Sequence, residues 1–155
     1  LVRHKISRKL RVESRKLRVE SRKLRVEIRK IMESFAYRRL VVYQHAKVYA
    51  KVAYELLKKF PPEERFALCD QLRRAVISIP SNIAEAVGRI SKKEQLHFIE
   101  YAFGSLNESM SQLELAHDFG YISTEDLTQA EEKVIALSKL LSGLRKSILK
   151  DLQQH

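Results

Sequence analysis

The sequence predicts an all-α protein: an antiparallel up-down-up-down four-helix bundle with a proline-kinked second helix and a basic, repetitive N-terminal extension. Three observations carry this reading. Four segments after residue 35 place apolar residues at spacings of 3 and 4, the pattern of one helical face. The breaks near residues 61–63, 88–91 and 120–123 are short, and short connections force neighbouring helices antiparallel. No strand-like alternation competes with them.

The extension, residues 1–34, is built on Ser7-Arg-Lys-Leu-Arg-Val-Glu13, which recurs unchanged at 14–20 and 21–27 and decays into Ile28-Arg-Lys-Ile31. A seven-residue period invites a coiled coil, but Leu10 and Val12 are two apart, about 200° around a helix, so no 3,4-spaced apolar seam forms. Two readings stay open. As a flexible or weakly helical basic arm, the extension would attract phosphate without sequence preference. Alternatively, identity between repeats points to a duplicated 21-nucleotide DNA unit, and with Met32 the first methionine, residues 1–31 would be upstream DNA outside the native protein.

The body, residues 35–155, is expected to be one four-helix bundle domain. Its first helix is predicted over 37–60, with Val42, Ala46, Tyr49, Ala53, Leu56 and Phe60 on one stripe and Tyr43, Ala50, Tyr54 and Leu57 on a second. So wide an apolar surface predicts burial against another subunit as well. Pro61 and Pro62 end the helix, and Glu63 and Glu64 are expected in the first turn of the second, where negative charge suits the dipole.

The second helix carries Phe66, Cys69, Leu72, Val76, Ile79, Ile83 and Val87 through Pro80 without loss of phase, so a kink is expected rather than a stop. Pro80 cannot donate to the carbonyl of Val76, a defect that costs about 3 kcal/mol in an ordinary helix interior. Ser78, Ser81 and Asn82 lie beside the freed backbone and are expected to compensate. Cys69, the single cysteine, excludes an intramolecular disulfide and reads as a small buried hydrophobe. Gly88 is expected to close this helix.

Ser91-Lys-Lys-Glu94 has the spacing of a capping box for the third helix, whose stripe is Leu96, Ile99, Phe103, Leu106, Met110, Leu113 and His117. Within it, Gly104 and Ser105 are expected to let another helix approach closely. Gly120 closes it. The fourth helix begins after Ser123 and carries Leu127, Ala130, Val134, Leu137, Leu141, Leu144 and Ile148.

At Gln71-Leu-Arg-Arg-Ala-Val-Ile-Ser-Ile-Pro-Ser-Asn-Ile-Ala-Glu85 the chain resembles the 23S rRNA intervening-sequence proteins, small bacterial four-helix-bundle proteins often encoded within insertions of the large ribosomal RNA gene. Leu40-Val-Val-Tyr-Gln-His-Ala46, Phe60-Pro-Pro-Glu-Glu-Arg65 and Ala102-Phe-Gly-Ser-Leu-Asn-Glu108 extend the resemblance over about residues 35 to 150. One departure is that the family's "N-I-A-E-G" is Asn82-Ile-Ala-Glu-Ala86 here, with the glycine displaced to Gly88. The resemblance implies a cytoplasmic homo-oligomer, a ring of five, with no known enzymatic activity and a link to structured RNA. Related bundles accompany retroelement reverse transcriptases, which implies a protein partner as the alternative.

Charge and chemistry narrow the functions. The net +11 divides unevenly: residues 1–34 hold 13 Lys+Arg against 4 Glu, leaving 17 against 15 in the body. RNA binding by the body therefore needs a local patch. Arg73, Arg74 and Arg89, with Lys92 and Lys93, are the candidates, arginine being suited to bidentate phosphate contact. The competing reading pairs Arg89 with Glu85 at i,i+4 and leaves the arginines solvated or bridging subunits. A di-iron site would need Glu-x-x-His pairs on two helices, whereas Glu94/His97 and Glu114/His117 share one helix about 30 Å apart. No catalytic residue, metal ligand, cofactor or small-molecule substrate is expected. No apolar run is long enough for a membrane span, and the cytoplasm is the expected location.

Overall fold

The computed structural model describes the backbone of residues 2–154 and the side chains of residues 10–31 and 35–154. Its elements in chain order are α1 (Val2–Ser34), a 3₁₀ turn (Ala36–Arg39), α2 (Val41–Leu57), a second 3₁₀ turn (Pro62–Phe66), α3 (Leu68–Gly88), α4 (Lys92–Asp118) and α5 (Thr124–Gln153). The described residues are all-helical, with no strand. They form two units, Leu1–Ala36 and Tyr37–His155.

The first unit is one helix of 33 residues. Its sequence explains this locally: arginine, lysine, leucine and glutamate are good helix formers, and neither glycine nor proline interrupts them. Lys16 and Glu20, like Lys23 and Glu27, are spaced i,i+4, worth a few tenths of a kcal/mol each. Length then favours propagation once a turn has nucleated. Leu10, Val12, Leu17, Val19, Leu24 and Val26 are all exposed.

In the second unit, α2 packs against α3 and α5, and α4 against α3 and α5. All four helices feed one apolar core. The α2 stripe of Val42, Ala46, Tyr49, Ala53 and Leu56 is buried, as is Phe60 beyond the helix end. Helix α2 is shorter at both ends than the 37–60 expected. Residues 36–39 wind as 3₁₀, while Lys58, Lys59 and Phe60 turn back through hydrogen bonds to Glu55, Leu56 and Leu57.

The entry to α3 corrects two expectations. Glu63 and Glu64 sit in the 3₁₀ turn, not in the first turn of the helix. Phe66 leaves the core stripe and is 85% exposed, because a 3₁₀ turn advances three residues per turn and breaks phase with the helix that follows. Glu64 still serves α3, accepting from the Leu68 N–H at 3.2 Å and from the Tyr121 hydroxyl at 2.9 Å. Helix α3 then runs unbroken through Pro80, burying Cys69, Leu72, Val76, Ile79 and Ile83.

Helix α4 corrects a third. The buried positions are Ile99, Ala102, Leu106, Ser109, Gln112, Leu113 and Ala116, so the seam takes in small and polar residues while Phe103, Met110 and His117 are only partly buried. Those small residues let α3 and α4 make the most extensive contact in the unit. A fourth correction concerns the start of α4: Ser91 makes no side-chain cap bond, so its spacing to Glu94 is not a capping box. Ser123 does form one with Asp126 at α5.

Gly120 ends α4 in the left-handed region, φ 77°, where glycine carries no side-chain penalty. The Tyr121 N–H reaches the Ala116 carbonyl and the Gly120 N–H that of His117, the paired bonds of a Schellman closure. Gly88 is the last residue of α3 but has no such backbone, and the chain leaves through an extended Arg89.

Candidate nucleic-acid interface

Around Pro80, the polar residues tie helices together. Ser81 Oγ donates to the Ile77 carbonyl at 2.9 Å, and Asn82 Nδ2 donates to both the carbonyl and Oγ of Ser78 at 2.8 Å. The bonds therefore fall on the carbonyls of Ile77 and Ser78, one and two residues past that of Val76. Ser105 Oγ on α4 donates to Ser78 Oγ at 2.8 Å, which makes Ser78 the junction between the two helices. Gly104, its neighbour, is exposed, and a Cβ there would meet nothing within 4 Å. Of the pair Gly104 and Ser105, it is Ser105 that meets α3.

The five basic candidates fall at two places. Arg73 and Arg74 precede Arg89 by about 24 Å along the axis at 1.5 Å per residue. Arg74 pairs with Asp70 at 2.8 Å. Arg73 is half-buried near Cys69; burial pushes that thiol up, and the Arg73 charge opposes the shift.

At the α3–α4 turn, Arg89 pairs with Glu85 and lies 4.0 Å from Glu94. Its guanidinium also sits 4.8 Å from the centre of the Phe98 ring, a cation–π contact. Lys92 pairs with Asp151 at 2.9 Å, whereas Lys93 is exposed and enters no ion pair among the described residues. His97 stacks edge-on against Tyr101 at 4.4 Å, and Phe98 and Tyr101 lie 6.4 Å apart. The turn thus gathers cations and exposed rings, a combination that offers charge to phosphates and faces to bases.

Sequence reasoning missed the rings of His97, Phe98 and Tyr101, and also Lys139, Lys146 and Lys150, exposed on α5 and in no ion pair among the described residues. The signal was present: His97 and Tyr101 are i,i+4 and off the apolar stripe. Glu94/His97 and Glu114/His117 stand at opposite ends of α4, and His117 Nε2 is 3.0 Å from the Thr124 hydroxyl. Among the described residues, no three His, Cys, Asp or Glu side chains gather for a metal ion, and no helix is long and apolar enough to cross a membrane.

These features define an all-helical protein whose conspicuous polar residues either bind helix to helix or surround one basic, aromatic turn. The 23S rRNA-intervening sequence protein family matches residues 38–143, more than half of the chain, and the chain belongs to that family. Among solved structures it is similar to a protein of unknown function from the S23 ribosomal protein family of Bacteroides thetaiotaomicron VPI-5482. Identity is 27% over 68% of this chain and 99% of that one, with a TM-score of 0.63. No curated protein matches the chain.

Proposed function

We propose that the protein is a non-catalytic, oligomeric scaffold associated with structured RNA, acting in the cytoplasm. In this reading α2 to α5 close as an antiparallel up-down-up-down bundle, bent at Pro80. The ring of contacts α2–α3, α3–α4, α4–α5 and α5–α2 supports that arrangement. The observation that carries the RNA reading is the α3–α4 turn of a family named for a ribosomal RNA insertion: Arg89 lies over the Phe98 ring, Phe98 and His97 neighbour Tyr101, and Lys93 is exposed in the first turn of the same helix. Exposed Val48 and Ile77 support self-association, in a ring of five as the family resemblance implies.

Binding to a structured RNA at low and moderate salt tests this, with residues 32–155 compared against Lys93→Glu and Tyr101→Ala variants. The core lies wholly within residues 42–148, so the truncation leaves it intact. Salt-sensitive binding that both substitutions weaken is expected. Unchanged binding in both would remove the turn from the reading. Light scattering on the same fragment reports the oligomer.

A second reading is a structural adaptor for a protein partner, such as a reverse transcriptase, without direct RNA contact. The pairing of Arg74, Arg89 and Lys92 with Asp70, Glu85 and Asp151 favours it, because ion-paired cations attract phosphate less. A body with no RNA affinity at low salt would select this second reading.

A further inference from the structure

Helix α1 orders its charges in a way that its apolar residues do not reveal. Arg11, Arg15, Arg18, Arg22, Arg25 and Arg29 recur at spacings of 4, 3, 4, 3 and 4, so they share one helical face over the described side chains. All six are exposed. The glutamates lie elsewhere: the residues three and four positions from Glu20 are Lys16, Leu17, Lys23 and Leu24, never arginine. At about 100° per residue, Glu20 lies roughly 200° from both Arg18 and Arg22.

Such a face is self-repelling. Each arginine from Arg15 to Arg25 has arginine three residues to one side and four to the other, and like charges at these spacings destabilise an isolated helix by a few tenths of a kcal/mol per pair. A row of phosphates would offset that repulsion. Successive guanidinium bases rise about 4.5–6 Å along the axis, and arginine forks match phosphate oxygens bidentately. A lipid surface fits poorly, since Leu17 and Val19 lie about 200° apart and leave no single apolar face to embed.

We propose that the arginine face of α1 is a binding surface for the phosphate backbone of a nucleic-acid duplex. The contact is distinct from the α3–α4 turn and stands whether or not the second unit touches RNA.

The test uses the full chain with 20-base-pair RNA and DNA duplexes over a salt series. Arg15→Gln, Arg18→Gln and Arg22→Gln are combined in one variant, and Lys16→Gln, Lys23→Gln and Lys30→Gln in another. Both lower the net charge equally, and glutamine keeps helix propensity, which circular dichroism verifies. The arginine variant is expected to lose at least tenfold in affinity, and its slope of log affinity against log salt should shrink by about 2 to 3. The lysine variant should lose less than threefold. A third variant, Arg15→Lys, Arg18→Lys and Arg22→Lys combined, should keep the slope, because charge remains on the face. Binding to either duplex in this pattern supports the proposal, and the preferred duplex identifies the source of the phosphates. Equal losses in the first two variants would show that net charge alone acts and would overturn it, as would no duplex binding by the full chain, or equal binding to phosphatidylserine vesicles.

Discussion

Tyr49 on α2 and Ser109 on α4, 60 residues apart, share a 2.9 Å hydrogen bond in the middle of the apolar core, and both are fully buried. Ser109 Oγ already donates its one proton to the Leu106 carbonyl at 2.8 Å, so the Tyr49 hydroxyl is the donor between them. Removing either partner therefore has unequal effects. Tyr49→Phe should cost about 1 kcal/mol, since Ser109 keeps its acceptor at Leu106. Ser109→Ala strands a buried donor and should cost about 1–3 kcal/mol. Urea unfolding of the two variants checks the order, and equal costs would refute the assigned direction.

The same tyrosine makes stability fall in alkali. Burial in the apolar core disfavours the phenolate and pushes Tyr49 up to about 12 from its usual 10. Between those values the unfolded chain releases the proton and the folded chain keeps it, so the unfolded state is favoured as pH rises. The contribution is fully present below pH 10 and lost through pH 12, amounting to about 2–3 kcal/mol. Wild type minus Tyr49→Phe, measured by unfolding from pH 9 to 12, should show a decline that begins near 10. A flat difference would count against it.

Two serines flanking Pro80 should differ sharply. Ser78 accepts from both Asn82 and Ser105, so Ser78→Ala removes a junction between α3 and α4 and should cost about 1–2 kcal/mol. Ser81 is exposed and bonds only within α3, so Ser81→Ala should stay within about 0.5 kcal/mol. Thermal midpoints of the two variants decide this.

Two serines at helix starts also separate. Ser123→Ala breaks a reciprocal pair with Asp126 and should cost about 1 kcal/mol. Ser91→Ala should be near neutral, because Ser91 makes no cap bond. Acid should weaken the Ser123 end further. The bond from Lys59 is the main cause holding the Asp126 carboxyl below its usual range, so its contribution is present above the ordinary aspartate pKa and disappears as pH falls through the lowered value. Hydrogen exchange at the first turn of α5, followed from pH 6 down to 2, reports that loss.

Gly104→Ala should raise stability by about 0.5–1 kcal/mol, since an exposed helical glycine gains helix propensity and the new methyl meets no atom within 4 Å. Loss of stability on denaturant unfolding would mean that a neighbouring surface sits against this position.

Much of the helix order could be read directly. Every position of the first α2 stripe is buried, because a 17-residue amphipathic helix repeats its phase often enough to be unambiguous. The α4 seam could not be read as well. Phe103 and Met110 outweigh Ala102 and Ser109 in hydropathy, yet the small residues are fully buried and the large ones only partly, a choice that close packing between helices makes and local hydropathy does not show. Phe66 misled for a local reason, a 3₁₀ turn with a different period. In α1, attention to leucine and valine hid an arginine pattern that spacing alone would have revealed.

Residue spacing by itself determined the order of the helices in the second unit, where Gly120 stops one, and that Glu85 and Arg89 would meet, since all of these depend on neighbours within a turn or two. Only the tertiary structure decided which face of α4 turns inward, that Ser78 receives Ser105 and that Tyr49 finds Ser109. Those relationships join residues far apart in the chain. They depend on how closely two packed helices approach and in which register, quantities set by the summed volume of all the side chains between them rather than by any local pattern.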